Sequence, residues 1–450
     1  GIRDQPRSRG LGDVYKRQIM ALLLLGVGLF QSWNVSLSIL NLCLISAIMA
    51  LGVNIQWGYA GLFNVGIMGF AALGGLAAVL VAMPPIEGAW DKGGWGALGG
   101  LLIAVISIGL AVFTYKNMKS GRYRIISIVA ICIIGFFLSR LIFSPATQAI
   151  ESINPAKSGY LGGLGLPIVI SWPIGGLFAG IAAWVIGKIT LGLRSDYLAI
   201  ATLGISEIII AVLKHEDWMT RGVKNVIGMP RPVPYEVNLQ STPWFLELCN
   251  WLGADPVGFS SIFVKICYAG LFITMLLIVL WLSETALKSP WGRMMRAIRD
   301  NEVSANAMGK NVTKRHLQVF VLGSIVVGLA GAMLTTLDGQ LTPTSYQPLR
   351  FTFLIWIMVI VGGSGNNWGA ILGGFVIWFF WIEAEPLGLL LMNVITSGMS
   401  EDSSLRLHLI DSAAHMRLMT MGLILLLVLR FSCLLYTSDA ADEGLGVDLG

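Results

Sequence analysis

The chain has 450 residues, of which 55% are hydrophobic and 12% charged, with a net charge of +5. Soluble domains run nearer about 45–50% apolar and about 25% charged, so the composition excludes an ordinary soluble protein. The positive balance is small and sits in loops, which gives no case for nucleic acid and fits the cytoplasmic loops of a membrane protein.

The first residues, GIRDQPRSRGLGDVYKRQ (1–18), and the last, CLLYTSDAADEGLGVDLG (433–450), share no pattern with the body. Both are expected to be non-native ends and are set aside. Between them, 19–432 carries hydrophobic segments near 19–32, 36–56, 61–82, 97–115, 125–143, 169–187, 196–213, 262–282, 317–336, 351–362, 369–383 and 418–432. A bilayer crossing needs about 20 apolar residues. Several segments are short or glycine-broken, so twelve is an upper count. The expectation is an all-α polytopic membrane protein with roughly 10–12 transmembrane or half-membrane helices.

In chain order, the first unusual segment is GYAGLFNVGIMGFAALGGLAAVL (58–80). Asn64 puts an amide among apolar residues, and Gly66 and Gly69 weaken a spanning helix. Backbone that breaks at membrane depth must line a cavity or be buried in protein. A broken helix on a solute pathway and tight packing through a glycine face both remain open. Lys116, Lys119, Arg122 and Arg124 then crowd one loop, and Lys188 and Arg194 mark another. Walking the segments in order puts both on one side, together with the stretch 284–316. By the positive-inside rule that side is cytoplasmic, and 214–261, with Pro230, Pro232 and Pro234, is periplasmic.

Glu207 lies within the apolar run 198–213. At the helical rise it is about 15 Å from Tyr197 and about 10 Å from Lys214, near mid-bilayer. Ionisable groups there are costly, usually face the bundle interior, and are functional by default. A purely structural hydrogen bond is the other reading. Further on, GGSGNNWGAILGG (362–374) splits an apolar run. Gly363 and Gly365 permit positive φ and Asn366 follows them, as a tight turn or as a hinge beside the pathway. A loose likeness of this stretch to 61–75 leaves an inverted pair of broken helices open.

No G-x-x-x-x-G-K-[ST] is present, so the chain is not expected to bind ATP through a P-loop. The four histidines and five cysteines form no cluster, and no catalytic arrangement, metal site or cofactor is indicated. The stretch SPWGRMMRAIRDNEVSANAMGKNVTKRH (289–316) is basic and helix-forming between two apolar segments. Met294, Met295 and Ile298 share one apolar helix face. Asp300 or Asn301 can start a second short helix and Gly309 can end it.

LRSDYLAIATLGISEIIIAVLK, GMPRP, the block 289–336 and IVGGSGNNWGAILGG together resemble the LivM-type permease of branched-chain amino acid ABC transporters. The resemblance covers most of 34–432, with an insert near 90–150. It implies an ABC importer permease fold in a bacterial inner membrane, and import of branched-chain amino acids. It also implies a second, LivH-like permease, two cytoplasmic ATPases that bind the ATP, and a periplasmic binding protein. Asn64, Gly66, Gly69, Glu207, Gly363, Gly365 and Asn366 are then candidates for the substrate pathway. Arg296, Arg299, Glu302, Ala305, Ala307 and Gly309 are candidates for ATPase coupling, the two alanines keeping the helix slim enough to dock. An amphipathic helix lying on lipid is the other reading of this stretch. For the whole chain, a urea or short-amide ABC permease and an ion-coupled secondary transporter with Glu207 as its ion site remain as alternatives.

Overall fold

A computed structural model describes residues 6–153, 159–193, 195–399 and 403–431. Of the expected foreign ends, 1–5 and 433–450 lie outside the described residues, as does Arg194. Residues 6–18 continue the helical backbone of α1 (Pro6–Phe30).

The body is helical. It comprises α2 (Trp33–Val53, running on as a wider turn to Gly58), α3 (Ile67–Ala82), α4 (Trp95–Asn117), α5 (Arg122–Glu151), α6 (Ser171–Thr190), α7 (Ser195–His215), α8 (Pro243–Leu252) and α9 (Pro256–Lys288). Then follow α10 (Pro290–Asp300), α11 (Glu302–Ala307), α12 (Val312–Asp338), α13 (Pro348–Gly362), α14 (Asn367–Ile395), α15 (Ser404–Asp411) and α16 (Met416–Phe431). Among the described residues, nine helical stretches are long and apolar enough to cross a membrane, and three shorter apolar helices accompany them. The chain is a multi-pass membrane protein. Its one described sheet is an antiparallel pair, β1 (Val226–Ile227) with β2 (Gln340–Leu341).

Small residues let the central helices meet closely, as expected where lipid gives helices no hydrophobic reason to associate. α12 packs on α3 and α6 through Gly328 and Gly331, where an added Cβ would run into Gly175 and Ala71. The core is apolar and centred on α2, α3, α12, α13 and α14, with Ile48, Leu51, Ala71, Phe320 and Met358 fully buried. The insert recognised in the sequence forms a peripheral hairpin, α4 and α5, whose apolar side chains point mostly outward.

Backbone hydrogen bonds identify the two ends of the bundle. At one end Ile86 donates to Leu161, Leu161 to Trp218, and Met229 to Gly339. At the other end the α13–α14 turn, the end of α2 and the 289–311 arm converge. The α4–α5 loop with Lys116, Lys119 and Arg122 points the same way as the arm, since α4 and α5 leave the first end and return to it. The arm is shorter than 284–316 because α9 holds its helix to Lys288 and α12 begins at Val312. Likewise α14 runs through Glu383, Glu385 and Pro386, which cut the apolar segment at 383 when judged by hydropathy alone.

Candidate functional site: the basic arm and the interrupted helix

The break after α2 sits at the arm end of the bundle rather than at mid-membrane. Residues 61–66 are irregular, and α3 restarts at Ile67. Three polar groups of Asn64 are engaged inside the chain. Its amide Nδ2 donates to Gln56 Oε1 at 2.9 Å, its Oδ1 accepts from Gly66 N at 2.9 Å, and its backbone oxygen accepts from Trp356 Nε1 at 3.0 Å. Gln56 Nε2 donates in turn to Phe320 O and Ser324 Oγ. Val65 N donates to Thr202 Oγ1 at 3.1 Å. Asn64 is 2% exposed. Its side-chain amide therefore holds the break together. Gly66 and Gly69 likewise serve packing: an added Cβ would strike Thr202 O at the first and Ser206 at the second.

Gly363 and Gly365 have φ of 90° and 78°, which only glycine adopts easily. They turn the chain from α13 into α14, and Asn366 caps α14 by accepting from Trp368 N at 3.1 Å. This turn is bound to the end of α2. Gly365 N donates to Asn54 Oδ1 at 2.9 Å, Asn54 Nδ2 to Asn367 Oδ1 at 3.0 Å, and Asn367 Nδ2 to Glu284 Oε1 on α9 at 3.0 Å.

The arm joins this network through one residue. Arg299 Nη1 donates to Gly58 O at 2.6 Å, while Nε and Nη2 donate to Asp300 Oδ1. Gly58 ends the wide turn of α2, with Tyr59 and Ala60 between it and the irregular stretch, and an added Cβ there would meet Asn54 and Gly365. Two groups kept apart in the sequence, the glycine-and-asparagine stretches and the basic arm, are thus in direct contact.

Within the arm, α10 buries Met295 and Ile298 against the bundle, with Met294 packed beside them. Its apolar face is occupied by the protein itself, which leaves little of it for lipid. Arg296 donates to Leu287 O at 3.4 Å and so closes the α9–α10 corner. Asn301 caps α11 by accepting from Ser304 N at 2.8 Å, and Gly309 takes φ 76° after it. No residue of α11 is buried. Ala305, expected on the docking face, is the α11 side chain that packs back toward the core. Glu302 and Ala307 face outward. Two apolar residues that sequence reasoning missed stand out on the surface: Val303 and Met308 are each 80% exposed. Their signal was apolarity inside a polar stretch.

At Glu207 the structure departs from the expected inward-facing side chain. α7 packs on α3 through Thr202 and Ser206, so Glu207, one residue further round, is exposed on the outer face with Gly204 and Ala211. It does not enter the bundle interior. Two ionisable groups within the spans were not legible at all. Glu383 Oε2 on α14 accepts from Gln31 Nε2 at 2.7 Å, and Lys265 on α9 donates to Asn34 O and Ser38 Oγ. Near the opposite end, Tyr346 shares a hydrogen bond with Thr335 at 2.9 Å, and burial pushes its phenol well above the usual range, so it stays neutral.

Residues 154–429 match the family model described as branched-chain amino acid transport system / permease component. The chain belongs to this family. Among curated relatives, the permease is 32% identical over 103 residues to a probable branched-chain amino acid transport permease protein LivM of Methanocaldococcus jannaschii, covering 23% of the chain and 29% of the relative. It is 24% identical over 209 residues to the high-affinity branched-chain amino acid permease LivM of Escherichia coli, covering 46% and 48%. It is 24% identical over 304 residues to the Salmonella typhimurium LivM, covering 64% and 68%. The permease thus spans less than half the length of the first two of these relatives. No solved structure matches it.

Proposed function

We propose that the permease is a membrane subunit of an ATP-driven importer of branched-chain amino acids in a bacterial inner membrane. It pairs with a second, similar permease, with two cytoplasmic ATPases that carry the nucleotide chemistry, and with a periplasmic amino-acid-binding protein. The chain itself is assigned no catalysis and no cofactor.

The observation that carries this reading is the arm. A six-residue helix with no buried residue stands off the bundle, yet Arg299 at its base holds the end of the interrupted helix. A partner that moves α11 would pull on Gly58, and through Asn54 on the α13–α14 turn. Mechanical input at the exposed helix therefore reaches three membrane elements by hydrogen bonds alone. Glu207 favours a second subunit. A carboxyl facing lipid near mid-span costs about 2.5 kcal/mol or more, and a neighbouring helix packed against Gly204 and Ala211 would cover it. The same outward position removes the basis for Glu207 as the internal ion site of a secondary transporter.

Uptake by the complex reconstituted in vesicles tests the reading. Leucine uptake that requires internal ATP and the binding protein is expected. Preferential uptake of urea, or uptake driven by an ion gradient without ATP, would contradict it.

A further inference from the structure

An open groove of about 570 Å³ lies at the arm end of the bundle, between α6, the start of α10 and the first turns of α12. Its volume is within the range of about 300–1,000 Å³ for ligand pockets. Its floor is a close seam of two helices: an added Cβ at Gly187 of α6 would strike Leu317 of α12, and one at Gly180 would strike Ile325. Gln318 of α12 sets one wall. It accepts from Trp291 Nε1 at 3.2 Å and from Arg315 Nη1 at 3.0 Å, which holds both side chains at the groove.

Three kinds of side chain share this groove. The first are cations. Lys314 and Arg315 line it, and Lys188 Nζ lies 3.6 Å from the ring centroid of Trp184, which lines it from α6. None of the three has an ion-pair partner among the described residues. No carboxylate lines the groove among them either. The second are Trp184 and Trp291, of a type that favours the membrane interface. The third form an apolar wall, through Leu317, Val321 and Leu322. Leu322 lies ten residues after Val312, the first of α12, which is about 15 Å along the helix. It is 44% exposed.

The occupant must answer all three. An acidic partner protein would meet the cations but could not follow the wall into the span. A free phosphate would leave the apolar wall bare, and a lipid without net charge would leave the cations unanswered. An anionic phospholipid satisfies each, as lipid head groups do in basic pockets between spanning helices.

We propose that this groove seats one anionic phospholipid, its head group among Lys188, Lys314 and Arg315 and an acyl chain along Leu317, Val321 and Leu322. Trp291 belongs to the first turn of α10, so the bound lipid touches the root of the arm.

Native mass spectrometry of the full chain in a neutral detergent, titrated with dioleoylphosphatidylglycerol or dioleoylphosphatidylcholine, tests this. One phosphatidylglycerol per chain should bind at least about tenfold more tightly than phosphatidylcholine. A basic residue beside an anionic lipid surface is worth about 1 kcal/mol, a factor of about five. Lys188→Gln and Lys314→Gln should each weaken phosphatidylglycerol binding by about that factor, and the double variant by about 25-fold. Phosphatidylcholine binding and the lipid-free unfolding midpoint should not change. The control Lys116→Gln/Lys119→Gln alters the α4–α5 loop, which points the same way as the arm, and should keep wild-type affinity. An equal loss in that control would mean diffuse surface charge rather than a site, and would overturn the proposal. So would wild-type affinity in Lys188→Gln/Lys314→Gln, or equal affinity of the wild type for the two lipids. Displacement of the lipid by excess inorganic phosphate would reduce the groove to an anion site and contradict the lipid assignment. None of these outcomes depends on which solute the permease carries.

Discussion

Asn64 owes its contacts to packing that its surroundings in the sequence only flag. An amide in an apolar run marks a special position, and the sequence exposes that much. Its partners do not show, because Trp356 and, one residue on, Thr202 come from far along the chain, and Gln56 reaches it only across the break. Only packing decides whether such an amide is satisfied internally or left for a ligand. Asn64→Ala would strand Gly66 N and Gln56 Oε1, each at about 1–3 kcal/mol. The expected result is a clear drop in the unfolding midpoint of the purified permease, with substrate preference among hydrophobic amino acids unchanged. A changed preference at unchanged stability would place Asn64 on the pathway.

At the scale of elements, helix boundaries with explicit chemistry were legible. Asn301 and Gly309 bracket α11 as their types require. Boundaries inside membrane helices were less so: α14 continues to Ile395 because Glu383 finds Gln31 inside the bundle. The orientation of short helices was also hidden. Ala305 and Val303 are both small and apolar in sequence, but α11 turns Ala305 toward the core and leaves Val303 80% exposed. Val303→Asp should therefore lower co-purification of the ATPase by about tenfold, the effect of roughly 1.4 kcal/mol at the contact. The permease should insert and unfold as the wild type does. Ala305→Trp should behave differently, overpacking α11 against the bundle at about 1–3 kcal/mol and lowering stability of the chain alone. The reverse pattern would mean that α11 docks through its other face.

For the whole molecule, the helical, multi-pass character followed from composition, since it depends on sums over many residues. Subunit surfaces did not, because an outward-facing and an inward-facing glutamate look alike in a hydropathy profile. Glu207 on the outer face of α7 is the clearest mark of a missing neighbour. Glu207→Leu should stabilise the isolated permease in lipid, by up to about 2.5 kcal/mol if the carboxyl truly faces lipid there. Recovery of the two-permease complex should fall in the same variant. Unchanged assembly would show that α7 meets lipid after all.

The central claim is that Arg299 transmits motion of the arm to the interrupted helix through Gly58. Parallel measurement of leucine uptake and ATP hydrolysis by the complete complex in vesicles, comparing wild type with Arg299→Ala, tests it most directly. Loss of one charged hydrogen bond, allowing for its partial exposure, is worth about 1–2 kcal/mol, a factor of about 5–30 in the coupled equilibrium. The account predicts that hydrolysis continues while leucine moved per ATP falls by that order. Uptake per ATP equal to wild type would contradict it.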